Sequence, residues 1–226
     1  MFTIAHAGGG IKNKKLTYLN SKEGFLMAYK RGVRLFEFDI MLTSDQDIVA
    51  THNFAEYTWS INNRKKLKEY KKANPTAISF RDILSLVKSY KDITILLDTK
   101  EMDYNTINIY EIVHNQITTR DDTLLNRFIP QIYNEATYKH IDAHCKFNQY
   151  IFATYKTDLT AKNIRAIVNK YPKIKAITAP ANKLKSYKLS MFKGKKSVYF
   201  YTINNRFLRF MLKLFRVDGI YSDYLK

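Results

Sequence analysis

Short apolar runs of strand composition alternate with amphipathic runs of helical period along this whole chain, and no other feature narrows the fold as much. The strand-like runs are FTIAHA, LFEFDIML, ITILLDTK, RFIPQIY, QYIFATY, IKAITAP, SVYFYTIN and VDGIYSDY. Between them lie SKEGFLMAYKRG, SFRDILSLVKSY, NTINIYEIVHNQI, NEATYKHIDAHC, TAKNIRAIVNKY and NRFLRFMLKLF, all with helical spacing. Gly32 and Pro172 supply stops, and Ser79 with Asp82 three residues on reads as a capping box. Strand–helix alternation requires parallel strands joined by crossovers. Eight such units in 226 residues predict a (β/α)8 TIM barrel, one domain over residues 1–226, rather than an open sheet. One additional strand-like run, DIVATH, precedes the longest insertion, Asn53 to Ala77, which reads as a loop with a basic helical stretch.

A parallel barrel keeps its chemistry at the C-terminal ends of its strands. The polar residues that interrupt the apolar runs fall there. His6 closes the first run, just before Gly8, Gly9 and Gly10. Glu37 and Asp39 lie two apart in the second, so period-2 geometry turns both to the same inward face. His52 closes the additional run. Asp98 and Lys100 end the third run, Gln131 the fourth, Tyr201 and Asn204 the seventh, and Asp223 the eighth. Glu37 and Asp39 are flanked by Leu35, Phe36, Phe38, Ile40 and Met41, and unpaired carboxylates cost several kcal/mol in such a setting. A divalent cation removes that cost, because Glu37, Asp39 and Asp98 together make a hard oxygen site suited to Mg²⁺ or Ca²⁺. His114, His140 and His144 fall in helical runs and are expected at the surface or in packing.

Composition bounds the partners. The formal net charge is +18, densest in Arg64 to Lys72 and Lys183 to Lys196. Such a field attracts polyanions, although a Lys-, Asn- and Ile-rich composition accounts for part of the excess. Neither patch carries a nucleic-acid motif, so no specific nucleic acid is expected. The one cysteine, Cys145, excludes an internal disulfide. Met1 leads straight into a strand without a basic leader, and no run is long enough to span a bilayer. A cytoplasmic protein, peripheral at most to a membrane, is the expectation.

The same residues resemble the glycerophosphodiester phosphodiesterase family, of the phosphatidylinositol-specific phospholipase C-like barrels. IAHAGG resembles that family's opening His-Arg-Gly strand. The stretch from Tyr18 to Asn53 resembles its helix, Glu-x-Asp strand, turn and second histidine. ILLDTK is similar to its Glu-x-Lys strand, and VYFYTINN and VDGIYSDY to its two closing strands. The chain departs from the pattern at several positions. Ala7 stands for an arginine that helps hold phosphate, Leu19 for a glutamate (Asn20 is kept), Asn53 for an aspartate and Tyr201 for a pocket tryptophan. Asp98 stands for a glutamate, an Asp-x-Lys form similar to the sphingomyelinase D branch, and no insertion separates Lys100 from the next helix.

The resemblance implies a metal-dependent phosphodiesterase. His6 would take the proton of the attacking group, His52 would protonate the leaving alcohol, and Lys100, Gln131 and Tyr201 would contact the substrate. The altered shell and the charge point to a large or polyanionic phosphodiester, a lipid head group or a phosphate-linked glycan. Two alternatives remain at this stage. One is a phospholipase D- or C-like enzyme on membrane lipid, which the basic patches favour and the lack of an apolar amphipathic anchor opposes. The other is a degenerate barrel that only binds a phosphorylated polymer, which the loss of the arginine favours.

Overall fold

The computed structural model describes all residues except 10, 13–14, 17–19, 53–64, 102, 184–195, 216 and 224–226; at 11–12 and 15–16 it describes the backbone alone. Eight parallel strands form the barrel: β1 Phe2–Ala5, β2 Leu35–Leu42, β3 Thr94–Asp98, β4 Phe128–Ile132, β5 Tyr150–Ala153, β6 Ile174–Pro180, β7 Ser197–Tyr201 and β8 Gly219–Ser222. Each pairs with the next, and β1 pairs with both β8 and β2, so the sheet closes as the alternation predicts. The additional run becomes a short strand, Ile48–Ala50, antiparallel to the end of β2.

The helices are α1 Lys22–Lys30, α2 Leu67–Ala73, α3 Phe80–Ser89, α4 Asp103–Thr118, α5 Glu135–His144, α6 Ala161–Lys170 and α7 Arg206–Leu214. Five of them start at a side-chain cap that accepts an otherwise orphaned N–H. Ser21 caps α1, Asn134 caps α5, Thr160 caps α6 and Asn205 caps α7. At α3 the expected capping box is present: Ser79 Oγ accepts from Asp82 N (3.3 Å), and Asp82 Oδ2 accepts from Ser79 N (2.7 Å). The basic helical stretch of the insertion is α2, where Lys71 pairs with Asp82 (2.6 Å). Leu19, Asn53 and Arg64 lie outside the described residues, as does most of the second basic patch.

Strand parity divides the core in two. Phe36, Phe38, Ile40, Ile95, Leu97, Ile132, Phe152, Ile177 and Phe200 point outward and pack with the helices in one continuous layer. Ile4, Leu96, Ile129, Ile151, Ala176 and Tyr221 point inward and fill the barrel. Glu37, Asp39, Asp98 and Gln131 share that inward parity, one step nearer the strand C-termini. The closed apolar floor therefore carries the polar groups as its upper layer.

α7 departs from expectation. Only Leu212 of this helix is buried, whereas Phe207, Phe210 and Leu214 are exposed. An apolar amphipathic face, judged absent from the sequence alone, is therefore present. The helical run itself is legible in NRFLRFMLKLF; which of its faces meets the barrel is settled only by packing. His114, His140 and His144 behave as expected: His140 pairs with Glu111 (2.9 Å), the His140 and His144 rings stack, and His114 meets the Phe147 ring.

Candidate active site

Three carboxylates meet at the C-terminal end of the barrel. Glu37 and Asp39 come from β2, Asp98 from the end of β3, and the strand register sets Asp39 beside Asp98. Each offers an oxygen within 4.8 Å of the others, and all three residues are buried. Lys100 lies over them, its Nζ 2.5 Å from Asp98 Oδ2 and 2.8 Å from Asp39 Oδ1. Asn20 holds Asp39 from the other side. Its Nδ2 donates to Asp39 Oδ2 (2.9 Å), and its Oδ1 accepts from the Asp39 N–H (3.0 Å).

The turn after β1 builds the next wall. Ala7, where the resemblance expects an arginine, is buried, and its N–H donates to Glu37 Oε2 (2.7 Å). The following residue has to be glycine. Gly8 has φ of +74°, and a Cβ there would lie 2.7 Å from the Phe38 ring. His6 lies at this corner with Nδ1 2.7 Å from Asp223 Oδ1. Asn204 in turn donates from Nδ2 to Asp223 Oδ2 (2.6 Å) and accepts from the Asp223 N–H (2.9 Å). β7, β8 and β1 thus cooperate to fix one imidazole, leaving its Nε2 as the other ring nitrogen.

A cavity of about 290 Å³ opens here, lined by His6, Glu37, His52, Asp98, Lys100, Gln131, Tyr155, Thr178, Tyr201, Thr202 and Tyr221. Of the residues selected from the sequence, His6, Glu37, His52, Asp98, Lys100, Gln131 and Tyr201 are on its wall; Asp39 is buried beside Lys100, and Asp223 and Asn204 stand behind His6. Three groups were missed. The Tyr133 hydroxyl donates to Asp98 Oδ1, and the Tyr155 hydroxyl bonds both Asp98 oxygens (2.9 and 3.0 Å). Parity carried the signal: Tyr133 continues the inward series Ile129, Gln131, and Tyr155 the series Ile151, Ala153. A third, Lys156, stands 4.6 Å over the Tyr133 ring and donates to the Glu101 carbonyl (2.8 Å).

The electrostatics are those of an anionic nest. Burial raises the pKa of Glu37 well above the usual carboxylate range, and the Asp39 charge adds to the rise. For Asp39 burial also acts upward, but Lys100, His6 and Asn20 outweigh it and bring it down to about 2. Burial would lower the pKa of His6; its bond to Asp223 and the charges of Glu37 and Asp39 prevail and raise it to about 9. Lys100 is likewise disfavoured by burial, yet Asp98, Asp39 and Glu37 raise its pKa. With Glu37 disposed to keep a proton, Asp39, Asp98 and Asp223 face Lys100 and protonated His6, with Lys156 further out over the Tyr133 ring. Among the described residues, the partner of Asp39 Oδ1 is the Lys100 ammonium at 2.8 Å. A converging, all-oxygen donor set of three buried carboxylates fits a hard divalent cation.

No protein-family model matches the chain, and no curated protein matches it. Solved structures do. A glycerophosphodiester phosphodiesterase from Thermotoga maritima superposes with a TM-score of 0.76 at 18% identity, covering 99% of this chain and 95% of that one. A putative glycerophosphodiester phosphodiesterase from Galdieria sulphuraria gives 0.79 at 16%, covering 99% and 94%. An Oleispira antarctica phosphodiesterase, solved with the product sn-glycerol-3-phosphate, gives 0.73 at 15%, covering 99% and 93%. The barrel is thus of the same fold as these proteins from end to end.

Proposed function

We propose that this protein is a phosphoric diester hydrolase of the glycerophosphodiester phosphodiesterase kind, working with a divalent cation, Mg²⁺ or Ca²⁺, at Glu37, Asp39 and Asp98. One observation carries the reading: a buried carboxylate triad, a lysine and two histidines converge on one cavity at the C-terminal end of the barrel. The product complex of the Oleispira antarctica neighbour supports a phosphodiester as substrate.

The bound cation would supply Lewis-acid stabilisation of phosphate charge and would offset the carboxylate field that holds the proton on His6. Lys100 adds a fixed positive charge at the cavity wall, which matters more because Ala7 brings no guanidinium. Asp223 and Asn204 orient His6 so that Nε2 serves the substrate. His6 accepts the proton of the attacking water or neighbouring hydroxyl, and His52 donates one to the leaving alkoxide as the P–O bond breaks. With water the products are a phosphomonoester and an alcohol; with an internal hydroxyl, a cyclic phosphate and an alcohol. Gln131 and Tyr201 line the space for the substrate alcohols. The +18 charge and the direct passage from Lys100 towards α4 support a large or polyanionic substrate, a lipid head group or a phosphate-linked glycan. The single buried thiol of Cys145 suits a reducing, cytoplasmic setting.

The test is a panel of phosphodiesters (glycerophosphodiesters, lysolipids, glycerol- and sugar-phosphate polymers), assayed with Mg²⁺, with Ca²⁺ and with chelator, products being read by phosphorus NMR. Cleavage that needs both a divalent ion and His6 supports the reading. Cleavage unaffected by exhaustive chelation refutes the metal, and binding without cleavage across the panel refutes the enzyme.

A further inference from the structure

α7 is apolar on two sides: Leu208 and Leu212 pack against the barrel, and a second apolar stripe faces out. A barrel helix of this class turns its apolar stripe to the sheet and its polar face to water. Here Phe207 is 72% exposed, Phe210 58%, Leu214 60% and, just past the helix end, Phe215 53%. Positions 207, 210 and 214 follow helical spacing, so they form one continuous outward stripe. The helix sequence RFLRFMLKL contains no carboxylate, and its exposed Arg206 and Lys213 accompany the stripe. Arg209 lines a cleft of about 300 Å³ with Arg31 and Arg34, next to the half-exposed Phe2. Scattered exposed apolar residues mean little, but a contiguous stripe of large ones marks a contact surface.

We infer that α7 is an interfacial helix that seats this protein on an anionic lipid surface. Three considerations choose the occupant. Phenylalanine and leucine beside arginine and lysine, without acid, is the composition of helices that lie in the head-group region of anionic bilayers. The nine-residue helix presents a convex strip about 14 Å long and, at a helix diameter of about 10 Å, on the order of 140 Å² in area, well short of the roughly 800 Å² a stable protein partner covers on each side; a bilayer asks for no complementary shape. A second copy is disfavoured by charge, since each chain carries +18 and the face itself is cationic. The placement also serves the cavity. Asn205 caps α7 directly after Asn204, which holds Asp223, so the helix starts at the rim of the candidate site. The inference rests on exposure and charge, independently of the catalytic reading.

The experiment is vesicle co-sedimentation of the full chain, with phosphatidylcholine vesicles alone and with about one-third phosphatidylglycerol, at low and physiological salt, with chelator throughout. Wild type should partition onto the anionic vesicles and weakly onto the neutral ones. The double variant Phe207→Ser, Phe210→Ser should lose about tenfold or more of that partitioning, as two phenyl rings stop inserting. Arg206→Glu with Lys213→Glu, which removes no apolar contact, should abolish the preference for anionic lipid. Melting curves confirm that the variants fold. Absence of wild-type binding overturns the inference. So does undiminished binding of the serine variant, which would leave only diffuse electrostatics. A dimer by light scattering that the serine variant dissolves, without vesicle binding, assigns the face to self-association instead.

Discussion

Replacing Lys100 by Met removes the ammonium beside Asp39 Oδ1 while keeping a stem of similar length. The wild-type Nζ sits 2.8 Å from Asp39 and 2.5 Å from Asp98, with both carboxylates nearly inaccessible to water. Asp98 would keep its two tyrosine hydroxyls and Asp39 would keep Asn20. Asp39 Oδ1 would keep nothing. Breaking a buried ion pair from one side costs about 3–5 kcal/mol. For a chain of this size each kcal/mol moves the melting temperature by about 2–4 °C. The variant should therefore melt on the order of 10 °C lower in chelator at neutral pH.

The penalty should depend on pH and on divalent ion in stated directions. Asp39 has its pKa depressed to about 2 in the folded protein, with Lys100 the leading favourable charge. A depressed carboxylate contributes stability above its unfolded pKa and loses it as pH falls through the folded value. The difference between wild type and variant should thus be full near neutrality and shrink in acid, below about pH 4. A cation on the triad restores the missing charge, and at a hundredfold excess over its Kd contributes about 2.7 kcal/mol. Because the triad is more negative without Lys100, the thermal shift from Mg²⁺ or Ca²⁺ should be larger in the variant. Differential scanning fluorimetry with chelator and with each ion reads all of this. Equal melting of the two proteins in chelator, or equal ion-induced shifts, would refute the reasoning.

Other outcomes follow from the same geometry. His6→Ala and His52→Ala should each lower turnover by on the order of 10²-fold or more, with little further loss in the double variant; near-normal turnover of His52→Ala would remove it as the acid. Asp223→Asn should lower kcat more than it raises KM, since it leaves the cavity intact and loosens only His6. Ser79→Ala should cost about 1 kcal/mol of stability by urea titration, with activity unchanged, because it removes one half of the α3 capping box. Added salt should lower kcat/KM on a polyanionic substrate and spare kcat, with a Debye length of about 8 Å at physiological ionic strength; salt-independent rates would mark the basic surface as compositional.

The barrel was legible because its signals are local and repeat. Each strand run needs only apolar parity and each helix only its cap and period, and closure follows from the number of units. The triad was legible for the same reason: Glu37, Asp39 and Asp98 violate the apolar pattern at positions parity turns inward. Tyr133 and Tyr155 were not singled out, since a tyrosine does not violate an apolar pattern; only its hydroxyl, aimed at Asp98, gives it a role. The outward face of α7 was illegible for a deeper reason. A hydrophobic stripe says that a helix has an apolar side but not what lies against it, and Leu212 rather than Phe207 or Phe210 meets the barrel.

Backbone conformation adds one more layer that composition does not announce. Ala7, Asn20 and Lys100 all sit in the left-handed region, with φ of 47°, 51° and 52°. For non-glycine residues each such conformation costs of order 1 kcal/mol or more and persists only where its surroundings over-determine it. The three are far apart in sequence but adjoin one cluster. Ala7 aims its N–H at Glu37, Asn20 brackets Asp39, and Lys100 bridges Asp39 and Asp98. Relaxing any one of them to the extended or right-handed region would redirect its donor away from a buried carboxylate. Each of the three thus supplies a donor to the nest, while Gln46, Asp103 and Lys146 share the conformation elsewhere in the fold. By the same logic, a cation that neutralises the triad weakens the carboxylate charge on which these donors depend. Amide exchange at Ala7, whose N–H bonds Glu37 directly, should then report cation binding even where no substrate is turned over.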